Sequence, residues 1–122
     1  MATLSPPPTP LTDVHGRRID YLRLSVTDRC DLRCRYCMAE DMSFLPRPAV
    51  LDIEEMAELA ERFVARGIRR IRLTGGEPLV RRGIDMLATR LGALIGNGLD
   101  ELTLTTNAMR LAEYTPMLAA AG

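Results

Sequence analysis

Residues 52–74 read DIEEMAELAERFVARGIRRIRLT, a helical pattern that gives way to a strand pattern within one short stretch. Asp52 has the chemistry of a helix N-cap, and Glu55 three positions on completes an acidic variant of the capping box. Ile53, Met56, Ala60, Phe63 and Val64 form an apolar stripe at helical spacing, so a helix is expected from Asp52 to about Arg66. Gly67 is its expected stop. From Arg69 the period falls to two, with Ile71 and Leu73 alternating against Arg72 and Thr74, which predicts a strand over 69–74.

The same grammar extends in both directions. Upstream, Leu22, Leu24 and Val26 alternate with Tyr21, Arg23 and Ser25, so a first strand is expected over 21–26. Downstream, Ile84, Leu87, Ala88, Leu91, Leu94 and Ile95 predict a helix from about Gly83 to Ile95, stopped by Gly96-Asn97-Gly98. A third strand is expected over 101–105 and another helix from about Leu111. Strands alternating with helices predict an α/β chain with a parallel sheet, here about three βα units. Ahead of them, prolines at 6, 7, 8 and 10 mark residues 1–11 as an extended, disordered tail, leaving 12–122 as the globular part.

The strand faces carry more information. Leu22, Leu24, Val26, Ile71, Leu73, Leu102 and Leu104 fall on one face. Arg23, Ser25, Arg72, Thr74, Thr103 and Thr105 fall on the other. A doubly wound sheet is covered on both sides and reads as continuous apolar runs. A polar second face fits a partial parallel barrel with helices outside and a ligand-holding interior. It equally fits a half-exposed sheet in water. In the barrel reading, chemistry gathers at the carboxyl ends of the strands, where the segment after the first strand, Gly75-Gly76 and Thr106-Asn107 would converge.

Composition narrows the function. Sixteen acids balance sixteen bases, every base being arginine, which argues against a nucleic-acid binder working by bulk electrostatics. No apolar run is long enough to span a membrane, and the N-terminus lacks the apolar core of a signal peptide, so the expected location is the cytoplasm. Residues 27–51 make an unusually long connection between a first strand and a first helix, since such loops usually run roughly 2 to 6 residues. That loop holds the three cysteines, Cys30, Cys34 and Cys37. Three thiolates on one tight loop suit three irons of a cubane cluster and leave the fourth iron open to substrate. Zinc competes, but it prefers four ligands, and the one histidine, His15, lies across the first strand. A small zinc-binding interaction module and an electron-carrying iron–sulfur protein therefore stay open at this point.

The spacing Cys30-x-x-x-Cys34-x-x-Cys37, with Tyr36 before the last cysteine and Gly75-Gly76-Glu77-Pro78 after the second strand, resembles the radical S-adenosylmethionine (SAM) superfamily. Gly16-Arg17-Arg18-Ile19, the run from Leu22 to Cys30, the run from Arg72 to Leu79 and Leu104-Thr105-Thr106-Asn107 resemble, within it, the molybdenum cofactor biosynthesis protein A family. The resemblance covers about residue 12 to the end. It implies a radical SAM lyase that cyclises GTP in the first step of molybdopterin synthesis, with another radical SAM enzyme as the alternative. SAM would be cleaved reductively at a [4Fe–4S] cluster held by Cys30, Cys34 and Cys37, and the deoxyadenosyl radical would take hydrogen from the GTP ribose. Tyr36 and Gly76 would contact SAM, and Arg23, Arg72 and Thr105 would contact GTP. An electron-donor protein is implied as a partner, neither nucleic acid nor a membrane is, and a homodimer is left open. Asp31 departs from the asparagine usual in the family, and a carboxylate beside an anionic cluster disfavours reduction. The family also has a larger barrel and a second cysteine cluster, so this chain is expected to be an N-terminal portion, its activity alone left open.

Overall fold

A computed structural model describes residues 11–28 and 51–122. Along the described residues run β1 (Tyr21–Ser25), α1 (Ile53–Ala65), β2 (Arg70–Thr74), a 3-10 turn (Pro78–Val80), α2 (Ile84–Gly92), β3 (Glu101–Leu104) and α3 (Leu111–Ala121). The α/β alternation expected from the sequence is present, and the strands form one parallel sheet in the order β1-β2-β3.

Local chemistry sets the boundaries. The Asp52 carboxylate accepts a 2.7 Å hydrogen bond from the Glu55 amide, satisfying one of the unpaired donors at the start of α1. At the other end the Gly67 amide donates to Val64 and the Ile68 amide to Phe63, which is a Schellman closure. It needs Gly67 at φ +108°, a conformation in which a side chain is strained. α2 ends at Gly92, earlier than the Ile95 expected. There the Leu94 and Ile95 amides bond three residues back, to Leu91 and Gly92, and tighten the chain into the Gly96 turn.

The register aligns like with like. Leu24 stands beside Leu73 and Leu73 beside Leu104, while Arg23 stands beside Arg72 and Arg72 beside Thr103. Side chains at aligned positions share a face, so the expected apolar and polar faces both exist. The core lies wholly on the apolar side. Ile71, Leu73, Val26 and Leu24 are buried there with Met56, Ala60 and Val64 of α1 and Ile84, Leu87 and Leu91 of α2. α1 packs on α2 and α2 on α3, so the helices form one layer on one face. Successive strands added in one direction under a single helical layer make the wall of a parallel barrel rather than a doubly wound sheet.

Two details refine the sequence reading. Leu11, assigned to the tail, packs against the core beside Leu59 and Phe63 of α1 and accepts a hydrogen bond from the Ile19 amide. Residues 1–10 lie outside the described residues. Among the described residues no helix is long and apolar enough to cross a membrane.

A one-sided core makes a prediction. Ile71→Ala, at a fully buried position, should cost about 2–5 kcal/mol in urea denaturation. Thr103→Val, on the polar face of the neighbouring strand, should cost about 1 kcal/mol or less. Equal losses at the two sites would mean that the sheet is buried on both faces.

Candidate active site at the carboxyl edge of the sheet

The three strands end side by side, and the segments that leave them are tied together. The Val26 amide donates to Thr74 at 3.0 Å, carrying the β1–β2 ladder past the last strand residue. One step further the Gly76 amide donates to the Thr27 carbonyl at 2.8 Å. The root of the cysteine-bearing segment is thereby fastened to the Gly75-Gly76 turn. Gly75 makes this approach feasible. Its φ is +134°, and a Cβ there would be driven into the Thr27 carbonyl, 3.1 Å from the Thr27 nitrogen and 3.2 Å from Ser25 Oγ.

The second tie is Glu77. Its side chain is 1% exposed, the one buried acid among the described residues. One carboxylate oxygen accepts from the Asn107 amide at 2.8 Å, and the other from the Leu79 amide at 3.4 Å. The Thr106 hydroxyl donates to the carboxylate, 2.8 Å from Oε2 and closer still to Oε1. The Thr106 oxygen in turn accepts from the Ala108 amide at 3.1 Å, and Asn107 Oδ1 accepts from Met109 at 3.0 Å. These bonds hold Ala108 at φ +66°, the one non-glycine residue with positive φ among those described. Glu77 thus caps its own 3-10 turn and clamps the segment after β3.

Below this rim lies the polar face. Arg72 donates from Nε to the Tyr21 hydroxyl at 2.7 Å and from Nη1 to Thr105 Oγ1 at 3.0 Å. Both partners are neutral. Acids sit lower, at the amino edge, where Asp100 pairs with Arg69 at 2.7 Å and Asp20 approaches Arg70 at 3.7 Å. The Arg69 guanidinium holds the exposed Asp100 carboxyl below its usual range. Neither Arg72 nor Arg23 has a carboxylate partner among the described residues. A guanidinium cannot shed its proton, so the middle of this face is cationic and equipped for an anion.

The structure therefore brings three of the expected residues, Arg23, Arg72 and Thr105, onto one face and puts Gly76 at its upper edge. Cys30, Cys34, Cys37 and Tyr36 lie outside the described residues. Within the described residues no group of three or more histidine, cysteine or acidic side chains could hold a metal. In the sequence Glu77 stands out only as part of Gly75-Gly76-Glu77-Pro78, and nothing there points to its link to Thr106 and Asn107. That link joins residues far apart in the chain and leaves no local pattern. The role of Tyr21 had a visible signal, since it lies two residues before Arg23 on the polar face.

The Glu77 clamp predicts a specific failure. Glu77→Ala strands the Thr106 hydroxyl and the Asn107 and Leu79 amides without an acceptor, which should cost about 3 kcal/mol or more. Glu77→Gln keeps one acceptor oxygen and should lose less. Amide exchange at Asn107 should rise in the same order, and unchanged stability with unchanged exchange would show that the clamp holds nothing.

Comparison with known proteins agrees with this geometry. Residues 24–122 match the Radical SAM superfamily. GTP 3',8-cyclase of Erythrobacter litoralis (strain HTCC2594) is 62% identical over 112 residues, covering 92% of this chain and 34% of that protein. GTP 3',8-cyclase of Rhodopseudomonas palustris (strain TIE-1) is 55% identical, covering 99% of this chain and 36% of its own length. GTP 3',8-cyclase 2 of Pseudomonas aeruginosa (strain PAO1) is 58% identical over 92% of this chain and 33% of its own. The chain spans about a third of the length of these relatives. With its one-layer parallel sheet, tied rim and matched residues, this chain belongs to the radical SAM superfamily.

Proposed function

We propose that the chain forms the SAM-cleaving and part of the nucleotide-binding region of a GTP 3',8-cyclase, a lyase of molybdenum cofactor biosynthesis. The observation that carries the reading is Arg72, a guanidinium fixed between two neutral hydroxyls with its charge left for a ligand. The relatives with that name, similar over nearly the whole chain, supply the ligand. GTP is polyanionic and carries a hydrogen-bonding purine edge. Arginine suits both, because its planar fork grips phosphate or a base edge with two donors at once.

The residues divide the work. Cys30, Cys34 and Cys37 would hold a [4Fe–4S] cluster, and the donor set fits, with three soft thiols within one short segment. When bound, the cluster supplies the electron that splits SAM into methionine and a deoxyadenosyl radical. The root of that segment is fixed at Thr27 by the Gly76 amide. Gly76 has its N–H committed there, and it brings to SAM a backbone surface without a side chain. Tyr36 would pack against the same cofactor. Arg23, Arg72 and Thr105 would take the nucleotide on the polar face, shielded from the aliphatic core by the sheet itself. A separate protein would deliver the electron from cytoplasmic reductants.

Anaerobic reconstitution of the full-length protein tests the reading. Replacing Cys30, Cys34 and Cys37 together by serine should lower iron and sulfide by about four each per chain and abolish a paramagnetic signal that changes when SAM is added. Arg72→Ala should keep that signal and its response to SAM. It should bind GTP about 10- to 100-fold more weakly, the loss of a charge-assisted hydrogen bond. Tightly held zinc without a response to SAM would overturn the reading, as would unchanged GTP affinity in Arg72→Ala.

A further inference from the structure

We infer that Tyr21 is a positioning residue for the nucleotide, acting through Arg72, an inference that rests on the reading just given. An arginine side chain on an open sheet face has many rotamers, and binding through it forfeits that freedom. Here the freedom is already removed. The Tyr21 hydroxyl accepts from Arg72 Nε at 2.7 Å while Thr105 accepts from Nη1 at 3.0 Å. Two of the five guanidinium N–H donors are engaged, and the remaining three are left for a ligand.

The neutrality of these partners matters. A carboxylate would hold Arg72 as firmly but would cancel the charge that an anionic substrate needs. A phenol holds it and leaves the charge in place. Tyr21 is itself held from below. The Arg70 guanidinium lies 5.2 Å from the centre of its ring, and Arg70 reaches toward Asp20 at 3.7 Å. Tyr21 is aligned with Arg70 across the ladder, one step below the Arg23–Arg72 pair, so its hydroxyl extends along the strands to the next level of the face. The chain of contacts Asp20, Arg70, Tyr21, Arg72, Thr105 runs from the amino edge of the sheet to its carboxyl edge. Neither burial nor core packing requires the hydroxyl, because Tyr21 is 37% exposed.

Tyr21→Phe removes the hydroxyl and keeps the ring over Arg70, so the fold should stand. In the full-length, reconstituted protein, equilibrium GTP binding should weaken about fivefold, the cost of immobilising on binding an Arg72 side chain no longer held beforehand. SAM binding, cluster content and the urea midpoint should not change. The decisive comparison is a double-mutant cycle, in which Tyr21→Phe should have no further effect in an Arg72→Ala background. If Arg72→Ala weakens GTP binding but Tyr21→Phe does not, the positioning role is wrong while the substrate reading stands. The same holds if Tyr21→Phe weakens binding equally with and without Arg72. If Arg72→Ala itself leaves GTP affinity unchanged, the substrate reading fails first, and the role of Tyr21 falls with it.

Discussion

Everything at the working edge of this sheet depends on one buried carboxylate. Parallel strands end in loops, and loops have no ladder to hold them in register. Glu77 supplies the missing bonds by taking donors from the segment that follows β3 while capping the turn that follows β2. The cost of burying an acid is met by saturating it with hydrogen bonds, the condition under which such burial is tolerated. On the other side the Gly76 amide fastens the exit of β1 to the same turn. The turn after β2 is therefore the hub through which the three strand ends keep fixed relative positions. Chemistry that must bring a cofactor and a substrate into contact needs this rigidity, because small misplacements of reacting groups lose large factors in rate.

The second constraint is the division of the sheet into two faces. Helices cover one face and bury it with Ile71, Leu73, Leu87 and Leu91, which fixes the sheet without recruiting the other face. The other face is then free of core packing, and the pairing of charges differs between the two edges of the sheet. Arginines at the amino edge meet acids, Arg69 with Asp100 and Arg70 with Asp20. Arg72, nearer the carboxyl edge, meets only hydroxyls. Compensation at the amino edge and its absence around Arg72, among the described residues, leave positive charge on the polar face toward the tied rim.

Much of this was legible in the sequence because period-two and helical patterns act locally. The Asp52 cap, the Gly67 stop and the alternation at 69–74 each sit within a few residues and reappear in the structure. The face assignment survived for the same reason, since register preserves side-chain parity across a parallel pair. What the sequence concealed was contact between distant segments. Nothing near Glu77 announces Thr106 and Asn107, and nothing near Arg72 announces Tyr21. The need for glycine at position 75 comes from the Thr27 backbone across the sheet, which no neighbour in sequence announces. Pro116 inside α3 also ran against local rules. Pro116 is the sixth residue of α3, where its ring leaves the Ala112 carbonyl without a helical donor, and beside it the Thr115 hydroxyl bonds back to Leu111.

In the proposed function the nucleotide lies on the polar face of the sheet, beneath the tied rim. The most direct measurement is photolabelling of the full-length, reconstituted protein with 8-azido-GTP, followed by mapping of the modified residues by mass spectrometry. Adducts should fall within 21–25, 70–77 or 101–107, be removed by excess GTP, and be absent from α1 and α2. Competable adducts on α1 or α2, with the three strand segments unmodified, would place the nucleotide on the helical side and contradict it.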